Sequence, residues 1–489
     1  MNSSLIMLEI SVIGLGLVLM LADLFVPAER RRFIGYAAIA ALGVLLVTSL
    51  SGNGSCGQFG TAFGGMFVND ALSLFFKQLF IIAAILVLFM AAEFSDKLAA
   101  GSVAEYYSLI LFALAGMLFA ASSNDFTMLF VSIELITVTF YVLVSFQRSK
   151  LQSLEAGVKY LILGALSSSF MVFGIALIWG TTGELNFNNL AHFLALNPEV
   201  ATSQIFLLGV LLVLVGLGFK IAAFPFQIWA PDVYQGAPTP TTAFLAVGSK
   251  AAGFVLLLRV LFTAVPSVTA QWDNLLIVIS GITILYGNLC AIPQRNLKRL
   301  LGYSSIAHAG YLLLGVAALS ASGQSALMYY LAGYVFTVMA GFFVITLVMR
   351  HLATEDISGL AGLNQRSPLL AATLTIAMVS LAGIPPLAGF FGKFLLLKSV
   401  IEAAQTTHNH GYYCLAFTAL VGVIISLYYY FGVIRAIYWS KDPADLSPIE
   451  LSSPAKLSIW ACLAGIFWIG LFPNTLLNVT NLAAAALGK

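Results

Sequence analysis

The chain has 489 residues, of which 60% are hydrophobic and only 9% charged, and its mean hydropathy is +0.99. Soluble domains run near ~25% charged, so a soluble enzyme, a nucleic-acid binder and a disulfide-stapled secreted domain are excluded. The 22 Lys+Arg against 20 Asp+Glu leave +2, which points to no anionic partner.

Apolar stretches of about 20 residues, each long enough to cross a hydrocarbon core, recur from end to end. The N-terminus, Met1-Asn2-Ser3-Ser4, lacks the basic region of a cleaved signal peptide, so the first stretch is expected to stay as a helix. In chain order the predicted spans are 4–26, 33–50, 71–92, 104–122, 125–146, 154–179 and 204–230. They continue with 240–264, 273–292, 297–319, 324–350, 368–404, 412–439 and 454–474. The predicted fold is an all-α polytopic membrane protein of about fourteen transmembrane helices.

Orientation follows from the basic residues. With the N-terminus outside, fourteen cations fall in cytoplasmic connections: Arg30, Arg31, Arg32, Lys97, Arg148, Lys150, Arg295, Lys298, Arg299, Arg350, Arg366, Arg435, Lys441 and Lys456. The opposite side has only Lys489, and the long 180–203 loop holds Glu184 and Glu199 without any cation. This asymmetry places both termini outside, on the periplasmic face of a bacterial inner membrane. Seven cations remain at membrane depth. Lys77, Arg259 and Lys398 lie near helix ends, where a long stem can snorkel to the headgroups. Lys159, Lys220, Lys250 and Lys393 are deeper or lie beside helix breaks, and Glu134 is their acidic counterpart.

Two spans are interrupted. Pro225 opens the seventh at Ile221, one residue after Lys220, and Gly383-Ile384-Pro385-Pro386 stops the twelfth just before Lys393. Backbone freed in this way must be buried in protein or line a wet cavity. Paired breaks in corresponding helices suggest inverted repeats with an ion path at the breaks. The odd five-helix offset gives helices 1–3 as residues 1–100, helices 4–8 as 101–265, helices 9–13 as 266–440 and helix 14 as 441–489.

A buried ion pair of Glu134 with Lys220 is expected. Burial favours a neutral lysine and a nearby carboxylate favours the ammonium, so moving one proton would drive another. Lys250 lies deep in the eighth helix, and Lys159 has Glu155 one turn before it. His308 is either a relay or a packing hydrogen-bonder. His192, His351, His408 and His410 fall in connections, where a solvated loop is the simpler reading for His408-Asn409-His410. No carboxylate cluster suits a sodium or calcium cage. Cys56, Cys290, Cys414 and Cys462 are too dispersed for a cluster or disulfide framework, and no nucleotide or haem motif is present. The glycine-rich 51–69 connection reads as a solvated outer loop.

The chain resembles the antiporter-like subunits of respiratory complex I (NADH-quinone oxidoreductase). The resemblance lies in Gly216-Leu217-Gly218-Phe219-Lys220, Pro225-Phe226-Gln227-Ile228-Trp229, Ser132-Ile133-Glu134-Leu135, Leu154-Glu155-Ala156-Gly157-Val158-Lys159-Tyr160, Asn296-Leu297-Lys298-Arg299 and Gly383-Ile384-Pro385-Pro386-Leu387. Of the homologous subunits L, M and N, the Asp232-Val233-Tyr234-Gln235-Gly236 run is similar to N. Lys393 stands where M typically has glutamate, and the long lateral helix of L is not found.

The resemblance implies a proton-translocating membrane-arm subunit, a translocase component with no redox catalysis of its own. Glu134 and Lys220 match the family's carboxylate–lysine pair, Lys250 its connecting lysine and Lys393 its second half-channel. Glu155 and Lys159 match positions implicated in coupling. FMN, iron–sulfur clusters and quinone are implied in other subunits, and the implied partners are other membrane subunits of complex I, homologous ones included. The alternatives are a subunit of a multi-subunit cation/proton antiporter or membrane-bound hydrogenase of the same fold, and a scaffold that has lost transport.

Overall fold

The computed structural model describes residues 3–27, 30–50, 59–99, 102–350, 355–439 and 447–487. Cys56, His351, Lys441, Lys489 and residues 51–58 of the glycine-rich connection lie outside them. Without water in a bilayer core, each spanning segment must satisfy its own backbone, and the described chain is almost wholly helical.

Helices α1 (Met7–Asp23) and α2 (Arg31–Leu50) precede a small hairpin of β1 (Gly60–Ala62) and β2 (Phe67–Asn69). Then come α3 (Ala71–Phe94), α4 (Val103–Ala121), α5 (Phe126–Val144), α6 (Leu151–Thr182), the short α7 (Phe187–Leu196) and α8 (Gln204–Ile221). After a break, α9 (Trp229–Gly236) leads to α10 (Thr239–Ala264), α11 (Asp273–Ala291), α12 (Leu297–Ala317) and α13 (Ala321–Val348). The chain ends with α14 (Pro368–Ala382), α15 (Ala388–Thr407), α16 (Gly411–Trp439), α17 (Ser453–Leu471) and α18 (Pro473–Ala484).

Thirteen helices among the described residues are long and apolar enough to cross a membrane, and α14 is a shorter apolar one. With α14 and α15 taken together as the interrupted twelfth crossing, the expected fourteen positions are occupied. The core runs along α3, α4, α10, α12 and α13, the most deeply enclosed of the described helices, which also carry buried charged and polar side chains.

Three expectations need correction. The 180–203 segment is not an open loop: α6 continues to Thr182, Gly183 closes it in the left-handed region, and Asn186 caps α7. Phe187, Leu190 and Leu194 share one buried face, which explains why this stretch coils. Nor is the described part of the glycine-rich connection a solvated loop. Its hairpin carries the fully buried Phe67, and Met66 and Val68 bond to the backbone at 122–124.

Thirdly, Lys77 and Arg259 do not snorkel. Lys77 is buried against Glu9 at 2.8 Å and donates to Asn69 at 2.9 Å. Arg259 forms a two-pronged contact with Asp70, 2.8 Å on each arm, and donates to the carbonyl of Ala121 at 3.0 Å. Sequence distance hid both pairs, because Glu9 and Asp70 sit on other elements. Lys398 alone behaves as expected, exposed beside Glu402.

Asp70 also caps α3 by accepting from the Ser73 amide. Burial pushes its carboxyl up, but Arg259 and Ser73 outweigh that and hold it below the usual carboxylate range. Because the folded value is depressed, this stabilisation is present above about pH 4 and is lost as pH falls further. Asp70→Asn is therefore expected to cost about 1.5–3 kcal/mol at neutral pH, the range for a hydrogen bond to a charged group. The melting difference between variant and wild type should shrink towards zero below about pH 4.

Many of the basic residues gather at one end of the bundle. Glu93, buried at the end of α3, accepts from Arg32, from Arg350 at 2.8 Å and from Ser452 at 2.5 Å, while Lys97 donates to the Met349 carbonyl. This hub joins α2, α3, α13 and α17. Glu93 falls just past the predicted end of the third span, and nothing in the local sequence marks its three partners.

Candidate proton-translocation site

Both interrupted helices end as the prolines require. α8 stops at Ile221, and Ala222 adopts a left-handed conformation with φ 58°. The freed groups are satisfied inside the protein: Ala223 N–H donates to the Gly218 carbonyl, Phe224 N–H to the Thr283 hydroxyl, and the Trp229 indole to the Phe219 carbonyl. α14 stops at Ala382, and Gly383 takes φ +87°, where a Cβ would lie 2.9 Å from the Lys393 side chain. Glycine is needed there twice over, for the turn and for the lysine. Pro225, Pro385 and Pro386 themselves lie at the chain's surface.

Each break positions a lysine at the carboxyl end of a half-helix, where the dipole favours a cation. Lys220 occupies the last turn of α8 and donates to the Thr137 hydroxyl of α5. Lys393 reaches back from α15 to the carbonyls of Leu381 at 2.8 Å and Ala382 at 3.2 Å. Lys250 follows a π turn at Leu245–Ser249 within α10 and donates to the Ser305 carbonyl at 2.6 Å and hydroxyl at 2.5 Å. π turns often mark functional positions in helices.

The expected Glu134–Lys220 ion pair is not closed. Glu134, half-buried on α5, accepts from the Ser168 hydroxyl of α6. Lys220 bonds instead to Thr137, one turn along α5 from Glu134. The two groups therefore share a neighbourhood rather than a contact.

A contrast separates the buried cations. Lys77, Arg259 and Lys298 each touch a carboxylate. Lys220, Lys250 and Lys393 are only 5%, 2% and 4% exposed, yet their hydrogen bonds go solely to hydroxyl and carbonyl oxygens. A buried charge without a counter-ion is costly, whereas a neutral lysine in the same place is not.

Separate clusters of polar side chains lie near these lysines. A cavity of about 10 Å³, at the lower limit for one water, is lined by Lys220 and by Ser249, the residue before Lys250. The Ser305 hydroxyl also bonds Tyr234 at 2.9 Å and Tyr334 at 3.0 Å. A second cavity of about 10 Å³ touches Ser304, Tyr334, Thr337 and Leu381, and Thr337 bonds Ser380 at 3.0 Å. His308 is fully enclosed, with Nδ1 2.5 Å from the Tyr330 hydroxyl and Nε2 3.0 Å from that of Tyr430. Tyr430 also meets Ser304 at 2.5 Å, and Lys393 lies 4.7 Å from the Tyr311 ring centre. His308, Tyr330, Tyr430 and Ser304 thus form a hydrogen-bonded group of their own beside the Ser305 cluster.

Lys159 stands apart. It pairs with Glu155 at 2.7 Å, as its spacing predicts, and with Asp232 at 2.8 Å, which also holds Arg299 at 2.6 Å. That cluster is partly exposed and ties α6 and α9 to α12. Sequence reasoning missed Asp232, and it missed the hydroxyls of Thr137, Ser168, Ser305, Tyr330 and Tyr430. Ser305 was within reach, because it sits in the same run as His308.

Fold and site together define a polytopic helical membrane protein of antiporter-like architecture, with unpaired buried lysines at two helix breaks. Residues 123–419 match the family described as NADH:quinone oxidoreductase/Mrp antiporter, transmembrane. The chain is 39% identical over 483 residues to NADH-quinone oxidoreductase subunit N of Desulforamulus reducens, covering 99% of this chain and 98% of that one. It is 32% identical to a chain of respiratory complex I from Thermus thermophilus, with a TM-score of 0.78 and coverage of 96% and 99%. A chain of the Mrp complex from a Dietzia species is 21% identical with a TM-score of 0.84, covering 100% and 97%. Shape alone therefore does not separate the branches of this fold, but sequence identity does. The chain belongs to the NADH:quinone oxidoreductase/Mrp antiporter family, within its subunit N group.

Proposed function

We propose that this chain works as the proton-translocating subunit N of an NADH:quinone oxidoreductase, with Glu134, Lys220, Lys250 and Lys393 as its proton-exchanging groups. The observation that carries this reading is the row of three buried lysines bonded only to neutral oxygens. A lysine ammonium can release a proton but cannot ligate a metal ion, and an amine nitrogen is a poor ligand for a hard cation that prefers oxygen, so the row suits protons rather than sodium.

A change in charge at Glu134 alters the cost of an ammonium at Lys220, one helix turn and one hydroxyl away. A proton released there has a water-sized space towards Ser249 and Lys250. From Lys250 the hydroxyls of Ser305, Tyr334, Thr337 and Ser380, with His308 beside them, lead towards Lys393. Glu155 and Lys159 act at the edge of this row, through Asp232.

Helices 4–8 and 9–13 are read as two inverted five-helix repeats, residues 101–265 and 266–440, each ending its path at one break. The basic end faces the cytoplasm and both termini face outwards. Redox cofactors and quinone belong to other subunits, and the membrane neighbours include homologous antiporter-like chains. Purification of this chain from its own membranes is expected to bring down an assembly that oxidises NADH and reduces quinone. Recovery with cation-antiporter subunits and no NADH oxidation would overturn the assignment.

A further inference from the structure

A separate feature lies on the flank of the first half of the bundle, away from the lysine row. α4, α5 and α6 diverge at the basic end and leave a cleft of about 960 Å³. Its mouth is lined by Lys97, Gln147, Arg148 and Ser149, where α5 has ended at Val144 and α6 has not yet begun at Leu151. Deeper, its walls are apolar, with Leu109, Val142, Val158 and Leu161 among them. Val142, Val158 and Leu161 are each about half exposed, so the wall is open along its length.

The charges at the mouth are not neutralised. Arg148, and Lys150 two residues on and just outside the lining, are exposed, and their side chains have no hydrogen bond or ion pair among the described residues. The Lys97 ammonium gives one hydrogen bond to Met349, leaving two donors free. Its electrostatic neighbours are the cations Lys150, Arg350 and Lys298 and one carboxylate, Glu355. Glu105 is the single carboxylate lining the cleft, so Lys97 and Arg148 leave the balance positive. The partly exposed Lys159 and Arg299, by contrast, are held by Asp232, whereas Arg295, Arg435 and Lys456 are exposed without a described side-chain partner but do not line this cleft.

Cations at helix-end depth above an apolar trough match a molecule with an anionic head and hydrocarbon tails. We propose that the cleft between α4, α5 and α6 binds one anionic phospholipid, its phosphate between Lys97 and Arg148 and an acyl chain along Leu109, Val142 and Leu161. A zwitterionic lipid offers the same tails without the net charge that this mouth would attract. A protein segment is the competing occupant, and it would need an acidic side chain at the mouth.

The test uses native membranes containing the full chain and two photoactivatable probes with the same diazirine acyl chain, phosphatidylglycerol and phosphatidylcholine. Phosphatidylglycerol is expected to label the cleft walls at 109, 142 and 158–161 at least about fivefold more than phosphatidylcholine, the preference one juxtamembrane cation gives. The double variant R148Q/K150Q, which breaks no described side-chain contact, should bring the two probes level, while R148K keeps the preference. Equal labelling of wild type by both probes would overturn the proposal. So would an unchanged preference in R148Q/K150Q, or crosslinking of the cleft to another polypeptide in place of lipid.

Discussion

Replacing either Glu134 or Lys220 by alanine is expected to cut proton pumping coupled to quinone reduction to about a tenth or less, a loss of roughly 1.4 kcal/mol or more in the limiting step. The complex should still assemble. Lys220 holds only the Thr137 hydroxyl and Glu134 only the Ser168 hydroxyl, so neither substitution strands a partner charge. In Lys220→Ala a buried amine without a contacting counter-ion disappears, which offsets part of the cavity left behind. Dye quenching in inverted vesicles reads the pumping, and a native gel reads the assembly. Unaltered pumping in both variants would remove these residues from the path.

The second large effect falls on stability. Glu93→Ala leaves the Arg32 and Arg350 guanidiniums and the Ser452 hydroxyl without their shared acceptor. Breaking a buried ionic contact by removing one partner costs about 3–5 kcal/mol. Both arginines are partly exposed and can turn towards water, and Arg350 keeps Asp96, so the lower end of that range is expected. The melting midpoint of the purified protein and its level in the membrane should both fall. Glu93→Gln should recover part of the loss, because an amide oxygen still accepts hydrogen bonds. If Glu93→Ala melts like wild type, the hub does not hold the basic end together.

What the sequence revealed follows the range over which each signal acts. Hydropathy is local, so the helices are legible within a few residues. The two breaks are legible too, because proline removes an N–H wherever it stands. α8 ends at Ile221 and α14 at Ala382, where the chain chemistry places them. The lysines beside those breaks stand out because charge in an apolar run is rare.

Partners across the bundle are a different matter. Glu9 with Lys77 and Asp70 with Arg259 meet across sequence separations that no periodicity reports. A snorkelling lysine and a paired one look identical along the chain. The same limit explains the open Glu134–Lys220 contact, since burial argues for a pair but cannot show that each side chain finds a hydroxyl instead. The short α7 was hidden by polarity around a three-residue apolar face.

In the proposed function Lys220, Lys250 and Lys393 exchange protons, whereas Lys77 is a fixed charge in a pair with Glu9. Arginine separates these roles, because it keeps the positive charge and does not release its proton. The most direct measurement is proton pumping per quinone reduced, in native membranes carrying Lys250→Arg beside Lys77→Arg. Lys250→Arg is predicted to abolish most of the pumping, while Lys77→Arg stays close to wild type with its pair to Glu9 kept. Full pumping with arginine at 250 would rule out proton exchange at that position.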